Sequence, residues 1–175
     1  MDTNVQLVLF RPKELHMFTL TAEYALRIVV YLGSLNGTPV TTKQLAAATQ
    51  VPAGYLSKVL QALSRAGIVV SQRGLHGGSV LAMSANELTV YDVVQAVAPL
   101  QRIRVCPLGL KAHANQLCPL HQRMDNALAM VEMALRASTI TDLLNDPSTN
   151  KPLTESSNGA LARVLPGVPL KVLKL

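Results

Sequence analysis

The sequence predicts a mainly α-helical fold with one small β-hairpin, a winged helix-turn-helix followed by a long C-terminal helix, and three observations predict it. Amphipathic segments with three- and four-residue spacing dominate the chain. A short capped helix, a tight turn and a longer two-faced helix follow one another between Thr41 and Ala66. Two short β-branched runs then flank a glycine-rich turn.

The first helix is expected from Thr19 to Leu35, where Leu20, Tyr24, Ile28, Tyr31, Leu32 and Leu35 form one apolar stripe. Asn36-Gly37 ends it. Thr41 with Gln44 three residues later is a capping-box pattern, and Leu45-Ala46-Ala47-Ala48 continues the helix it opens. Val51-Pro52 stops that helix and starts the next. In the third helix, about Ala53 to Ala66, Leu56, Val59, Leu60 and Leu63 separate from a face of Gly54, Tyr55, Ser57, Lys58, Gln61 and Arg65. That polar face holds hydrogen-bond donors and no carboxylate, which suits a helix lying in a major groove.

Gly67 closes the third helix. Ile68-Val69-Val70 and Val80-Leu81-Ala82-Met83 read as strands, joined by a turn that carries Arg73, Gly74 and His76. A hairpin placed directly after such a helix is expected to be a wing. Thr89 caps a further helix through Tyr91, Val93, Val94 and Val97, ending at Pro99. Beyond it, Leu117, Leu120, Met124, Ala127, Val131 and Ala134 repeat at heptad steps with Leu128 and Leu135 on the shoulder, the pattern of a dimer seam.

At 175 residues the chain is long enough to bury a core, and one compact domain with an appendage is expected. Nearly half of it is apolar, with no Trp and two Phe, so Leu, Val, Ala and Ile must build that core. The net charge is +6. Its distribution is more informative: no Asp or Glu occurs between Glu23 and Glu87, while Arg27, Lys43, Lys58, Arg65 and Arg73 lie inside that stretch. This points to a phosphate-facing surface and double-stranded DNA as partner.

No apolar run is long enough to cross a bilayer, so no membrane partner is expected. The piece Val5 to Phe10 lacks a basic flank and a small-residue cleavage site, which argues against a secretory signal and for the cytoplasm. The expected divisions are an N-terminal extension (1–16), a DNA-binding domain (17–98), a Cys/His sensor loop (99–118), a dimerisation helix region (119–145) and a flexible tail (146–175).

Both cysteines and two of the four histidines, Cys106, His113, Cys118 and His121, fall within sixteen residues. Thiolate and imidazole hold zinc or iron–sulfur clusters. The spacing lacks paired C-x-x-C knuckles, so three readings stay open. They are a metal or cluster site, thiol redox chemistry that includes a Cys106–Cys118 disulfide, and an inert buried Cys118 with surface histidines. A thiol-dependent enzyme using either cysteine is the rival class, but no phosphate-binding glycine motif, nucleophile elbow or acid pair supplies its other parts. A partner-binding module without DNA reading is opposed by the long stretch free of carboxylates.

Between Met17 and Leu144 the segments LTAEYALR, YLSKVLQALSRAGIV, SQRGLHGGSVLA and TVYDVVQAV together resemble the Rrf-two family of winged-helix transcriptional regulators, the group that includes IscR, NsrR and CymR. The resemblance implies a homodimer that binds palindromic operator DNA as a transcriptional regulator, here a repressor, with the Cys/His region tuning the binding. It also implies ligands: Cys106 and Cys118 match the outer two of three family cysteines, His121 matches the trailing histidine, and Glu23 falls near an acidic ligand of the first helix. Ala112 stands at the middle cysteine's place, which leaves His113 as its substitute. With that donor set the resemblance implies a two-iron, two-sulfur cluster before a four-iron one, with zinc or no metal as alternatives.

Overall fold

A computed structural model describes residues 18–72, 74, 77–113, 115–147 and 152–153, the side chain of His113 excepted. The N-terminal extension, Arg73, His76 and most of the expected tail lie outside these residues.

Helix α1 (Leu20–Ser34) begins where Thr19 accepts a hydrogen bond from the Ala22 N–H, and it ends at Asn36 and Gly37, both with positive φ. Helix α2 (Thr42–Thr49) carries the full capping box between Thr41 and Gln44. It closes on Gln50 in the left-handed region, and Val51-Pro52 re-aims the chain into α3 (Ala53–Arg65). Leu56, Val59 and Leu63 of α3 are buried, whereas its opposite face is exposed. One amphipathic helix thus fastens itself to the domain and presents a polar surface outward.

Strands β1 (Val69–Gln72) and β2 (Gly78–Leu81) pair antiparallel, with Val69 opposite Leu81 and Gln72 opposite Gly78. The hairpin extends two residues further toward its tip on each strand than β-branched propensity suggests, and Ala82 and Met83 fall outside it. Its second strand also pairs with Val40: the Val40 N–H donates to the Ser79 carbonyl at 3.1 Å and the Ser79 N–H to the Val40 carbonyl at 2.8 Å. A Cβ on Gly78 would stand 2.5 Å from the Val40 oxygen, so this close approach of backbones requires glycine.

Helix α4 (Val90–Val97) opens on a second capping box, Thr89 with Asp92, and ends two residues before Pro99. The segment that follows contains one 3-10 turn, Lys111–His113, before α5 (Pro119–Arg136). Leu117, expected in the seam, precedes that helix because Cys118 is its N-cap and Pro119 its first residue.

The region 119–145 is two helices rather than one. A third capping box, Thr139 with Asp142, starts α6 (Ile140–Asn145). Chain pairing returns α6 to the first domain, since the Ile140 N–H donates to the Leu88 carbonyl and the Val90 N–H to the Ser138 carbonyl, both at 2.9 Å. Ile140 is fully buried in the same core as Ala25, Ile28, Val29, Leu45, Leu56, Leu63 and Leu88. Helix α6 thus belongs to the core that α1, α2 and α3 build. Leu153, expected in a loosely held tail, also packs against this core. Among the described residues no helix is long and apolar enough to cross a membrane.

Candidate DNA-binding surface and cysteine segment

The outer face of α3 carries Gly54, Tyr55, Ser57, Lys58, Gln61 and Arg65, all exposed, and Lys43 is exposed on α2 beside it. Gly54 has open space where a side chain would stand, so a ligand's backbone can approach the first turn closely. No side chain caps the amino end of α3 and its first turn holds no acid, which leaves the positive end of the helix dipole unopposed. Arg65 is held along the helix by a 3.3 Å bond from Nε to the Gln61 carbonyl. Gly74 is exposed in the hairpin turn at φ 114°, where only glycine is unstrained. The turn residues Arg73 and His76 lie outside the described residues.

The Tyr55 ring meets the Tyr24 ring of α1 edge-on at 5.9 Å, and the Arg27 guanidinium lies 5.9 Å from the Tyr24 ring centre. Arg27 in turn donates to Glu23 at 3.0 Å. Tyr24 reads in the sequence as one residue of an apolar stripe, and its role as a support for Tyr55 needs two helices in place. Glu23 also lines a cleft of about 490 Å³ with Leu26, Val30, Thr49, Leu143 and Leu153, a lining without cysteine or histidine.

In the cysteine segment, Cys118 is half-buried at the N-cap of α5, with its Sγ 3.4 Å from His121 Nδ1 one turn later. Cys106 is buried at 5% exposure. Of the ligand set implied by the resemblance, Cys118 and His121 meet, Glu23 is engaged by Arg27 on α1, and the side chain of His113 lies outside the described residues. No three His, Cys, Asp or Glu residues converge as a metal site among the described residues. As folded, the described donors of one chain do not fit a four-ligand zinc or iron–sulfur group.

Sequence reasoning missed an ionic network on the inner face of α5. Arg102 donates to Asp125 twice, Nε to Oδ1 at 2.7 Å and Nη2 to Oδ2 at 2.6 Å, and the Ile103 N–H adds a third bond at 2.9 Å. The Arg102 hydrogen bonds hold the Asp125 carboxyl below its ordinary value against the opposing effect of burial. Glu132, two turns on, accepts from Arg136 at 3.0 Å, which holds its carboxyl down in the same way. The Arg136 guanidinium lies 3.5 Å from the Tyr91 ring centre of α4, a cation–π contact. A lone Asp in a heptad pattern is the only hint the sequence offers, since its partner lies 23 residues away.

Helices α1, α2 and α4, the outward α3 and the β-hairpin compose a winged helix-turn-helix. The family model described as Rrf2, iron-dependent transcriptional regulator, matches residues 18–146. The chain belongs to the Rrf2 family. It is 31% identical over 143 residues to the HTH-type transcriptional regulator NsrR of Geobacillus kaustophilus, spanning 78% of this chain and 95% of that protein. Among solved structures, the CymR global cysteine regulator of B. subtilis superposes with a TM-score of 0.60 at 23% identity, over 72% of this chain and 94% of CymR. T. potens IscR gives the same TM-score, 0.60, at 21% identity over 74% of this chain and 87% of IscR. At these identities the two structures establish the winged-helix fold. Membership of Rrf2 makes the chain a DNA-binding transcriptional regulator rather than an enzyme.

Proposed function

We propose that this Rrf2 protein is a cytoplasmic homodimeric repressor that binds palindromic operator DNA and is modulated at its Cys/His segment. The observation that carries the DNA reading is the exposed face of α3, where Ser57, Lys58, Gln61 and Arg65 stand free of any carboxylate. Ser57 and Gln61 are assigned to base edges, and Lys43, Lys58 and Arg65 to phosphates. Arg73, Gly74 and His76 of the wing reach the neighbouring backbone or minor groove.

The dimer is supported by the outer face of α5. Leu120, Met124, Ala127 and Ala134 run along it exposed, flanked by Met130 and Met133, while Asp125 and Glu132 face inward. An apolar stripe of this kind is the surface a second copy would cover, and two copies would present two α3 helices to two half-sites.

For the signal, the Cys118–His121 contact favours thiol chemistry over a resident cluster. Cys118 Sγ and His121 Nδ1 stand 3.4 Å apart at the amino end of α5, a thiol–imidazole pairing suited to thiol exchange. A two-iron cluster or zinc held by Cys106, Cys118, His113, His121 or Glu23 is the alternative signal site. The test is site selection from a random duplex library, followed by affinity measurements on protein purified without oxygen and assayed for iron, sulfide and zinc. A palindromic consensus, lost in Met124→Glu, and affinity that changes on thiol oxidation support the proposal. A non-palindromic site bound by a monomer, or affinity indifferent to both oxidant and metal, refutes it.

A further inference from the structure

Asp125 is the one buried charged side chain among the described residues, at 5% exposure. Its carboxylate ties together two places far apart in sequence. On one side it holds Arg102 and the Ile103 N–H, three residues before Cys106. On the other it belongs to α5, two helical turns after Cys118. The carboxylate therefore closes the base of the segment 104–117, joining its two ends like a clasp.

Inside that segment the Gly109 N–H donates to the Cys106 carbonyl at 3.0 Å. The segment's regular structure among the described residues is a single 3-10 turn, and Val105, Leu108 and Leu110 point their apolar side chains into solvent. Cys106 is nevertheless buried amid these exposed neighbours. A loop that turns its apolar side chains outward gains little from packing, so how its ends are fixed bears on how long a thiol within it stays covered. The fixing group is a two-pronged, charge-assisted pair inside a shielded site, the geometry in which an arginine fork is hardest to replace.

We infer that the Arg102–Asp125 clasp is a latch: it keeps Cys106 covered and sets how readily the Cys/His segment exchanges ligand or reacts. Arg102 and Asp125 are positioning residues in this scheme and touch no ligand themselves. Glu132 stands 3.7 Å from Arg102 Nη1, so the guanidinium has a second carboxylate beside the first. Through Arg136, Glu132 also joins the latch to Tyr91 of α4 and so to the DNA-binding domain. The significance for sensing rests on the function proposed above, whereas the latch itself can be tested without DNA, metal or signal.

The experiment is alkylation of the reduced full-length protein with an isotope-coded iodoacetamide pair, read at each cysteine by mass spectrometry. In the native protein Cys118 reacts first and Cys106 slowly. Arg102→Gln and Asp125→Asn each speed alkylation of Cys106 by about tenfold or more, with Cys118 changed by less than about twofold, because the first strands the buried Asp125 carboxylate, the second removes the charge that holds the fork, and either opens the loop locally. Arg102→Lys, which keeps the charge and loses the fork, falls between and guards against a variant that fails to fold. Hydrogen exchange of the α1 amides is followed in the same samples. An unchanged Cys106 rate overturns the inference, and so does a rise of both cysteines in step with loss of α1 protection. If Cys106 opens in the variants but its alkylation leaves DNA affinity unaltered, the latch stands and the proposed sensing fails.

Discussion

Lys58→Ala is the sharpest probe of the DNA surface. Lys43, Lys58 and Arg65 are the exposed cations of α2 and α3, and a dimer doubles them. If each neutralises one phosphate, six counterions are released and log K falls with log salt at a slope of about −5.4. Between 50 and 200 mM potassium chloride, affinity then drops about 1,800-fold. Lys58→Ala removes two of the six contacts, so the slope becomes about −3.6 and the same change of salt costs only about 150-fold. Fluorescence anisotropy with one labelled operator and one scrambled duplex measures both slopes. The loss at any one salt should be alike on the two duplexes, because Lys58 is assigned to phosphate rather than to a base. A slope that stays put in Lys58→Ala, or one near zero in the native protein, refutes the assignment.

Three further outcomes follow from the fold. A Cβ on Gly33 would stand 3.2 Å from Ile140 Cγ2 and 3.3 Å from Leu144 Cδ1, so Gly33→Ala is neutral or mildly destabilising alone. In an Ile140→Ala background, itself costing about 2–5 kcal/mol, it gains about 0.5–1 kcal/mol of helix propensity; additive effects in urea unfolding would show that α6 does not pack on α1. Gly78→Ala sets a methyl against the Val40 backbone and should lower stability by about 1–3 kcal/mol, with lost protection at the Val40 and Ser79 amides in hydrogen exchange. Asp125, Glu132 and Asp142 all have carboxyls held below their ordinary values, chiefly by bonds from Arg102, from Arg136 and from the Thr139 N–H. The unfolded chain thus takes up protons first as pH falls, so their stabilisation is complete above the ordinary carboxylate range and is lost below it. Melting temperatures from pH 7 to pH 3 should show this decline, and Asp125→Asn should flatten it.

Much of the architecture is legible locally. Thr19, Thr41 and Thr89 act as caps whose partners lie three residues away, and Asn36-Gly37 acts as a stop through its own backbone freedom. The two faces of α3 follow from helical periodicity alone. Thr139-Ile140-Thr141-Asp142 carries the same capping signal just beyond Leu135, the last residue of the heptad seam, and it starts α6.

Composition, caps and periodicity determined by themselves that this chain folds as helices with a wing and turns a carboxylate-free helix outward, because those properties rest on bonds and side-chain faces within a few residues. The tertiary structure decided what lies across long separations. It joined Arg102 to Asp125, set Ile140 into the first core and stood Tyr24 under Tyr55. Proximity in sequence gathered the Cys/His set, and the amino end of α5 stands Cys118 beside His121.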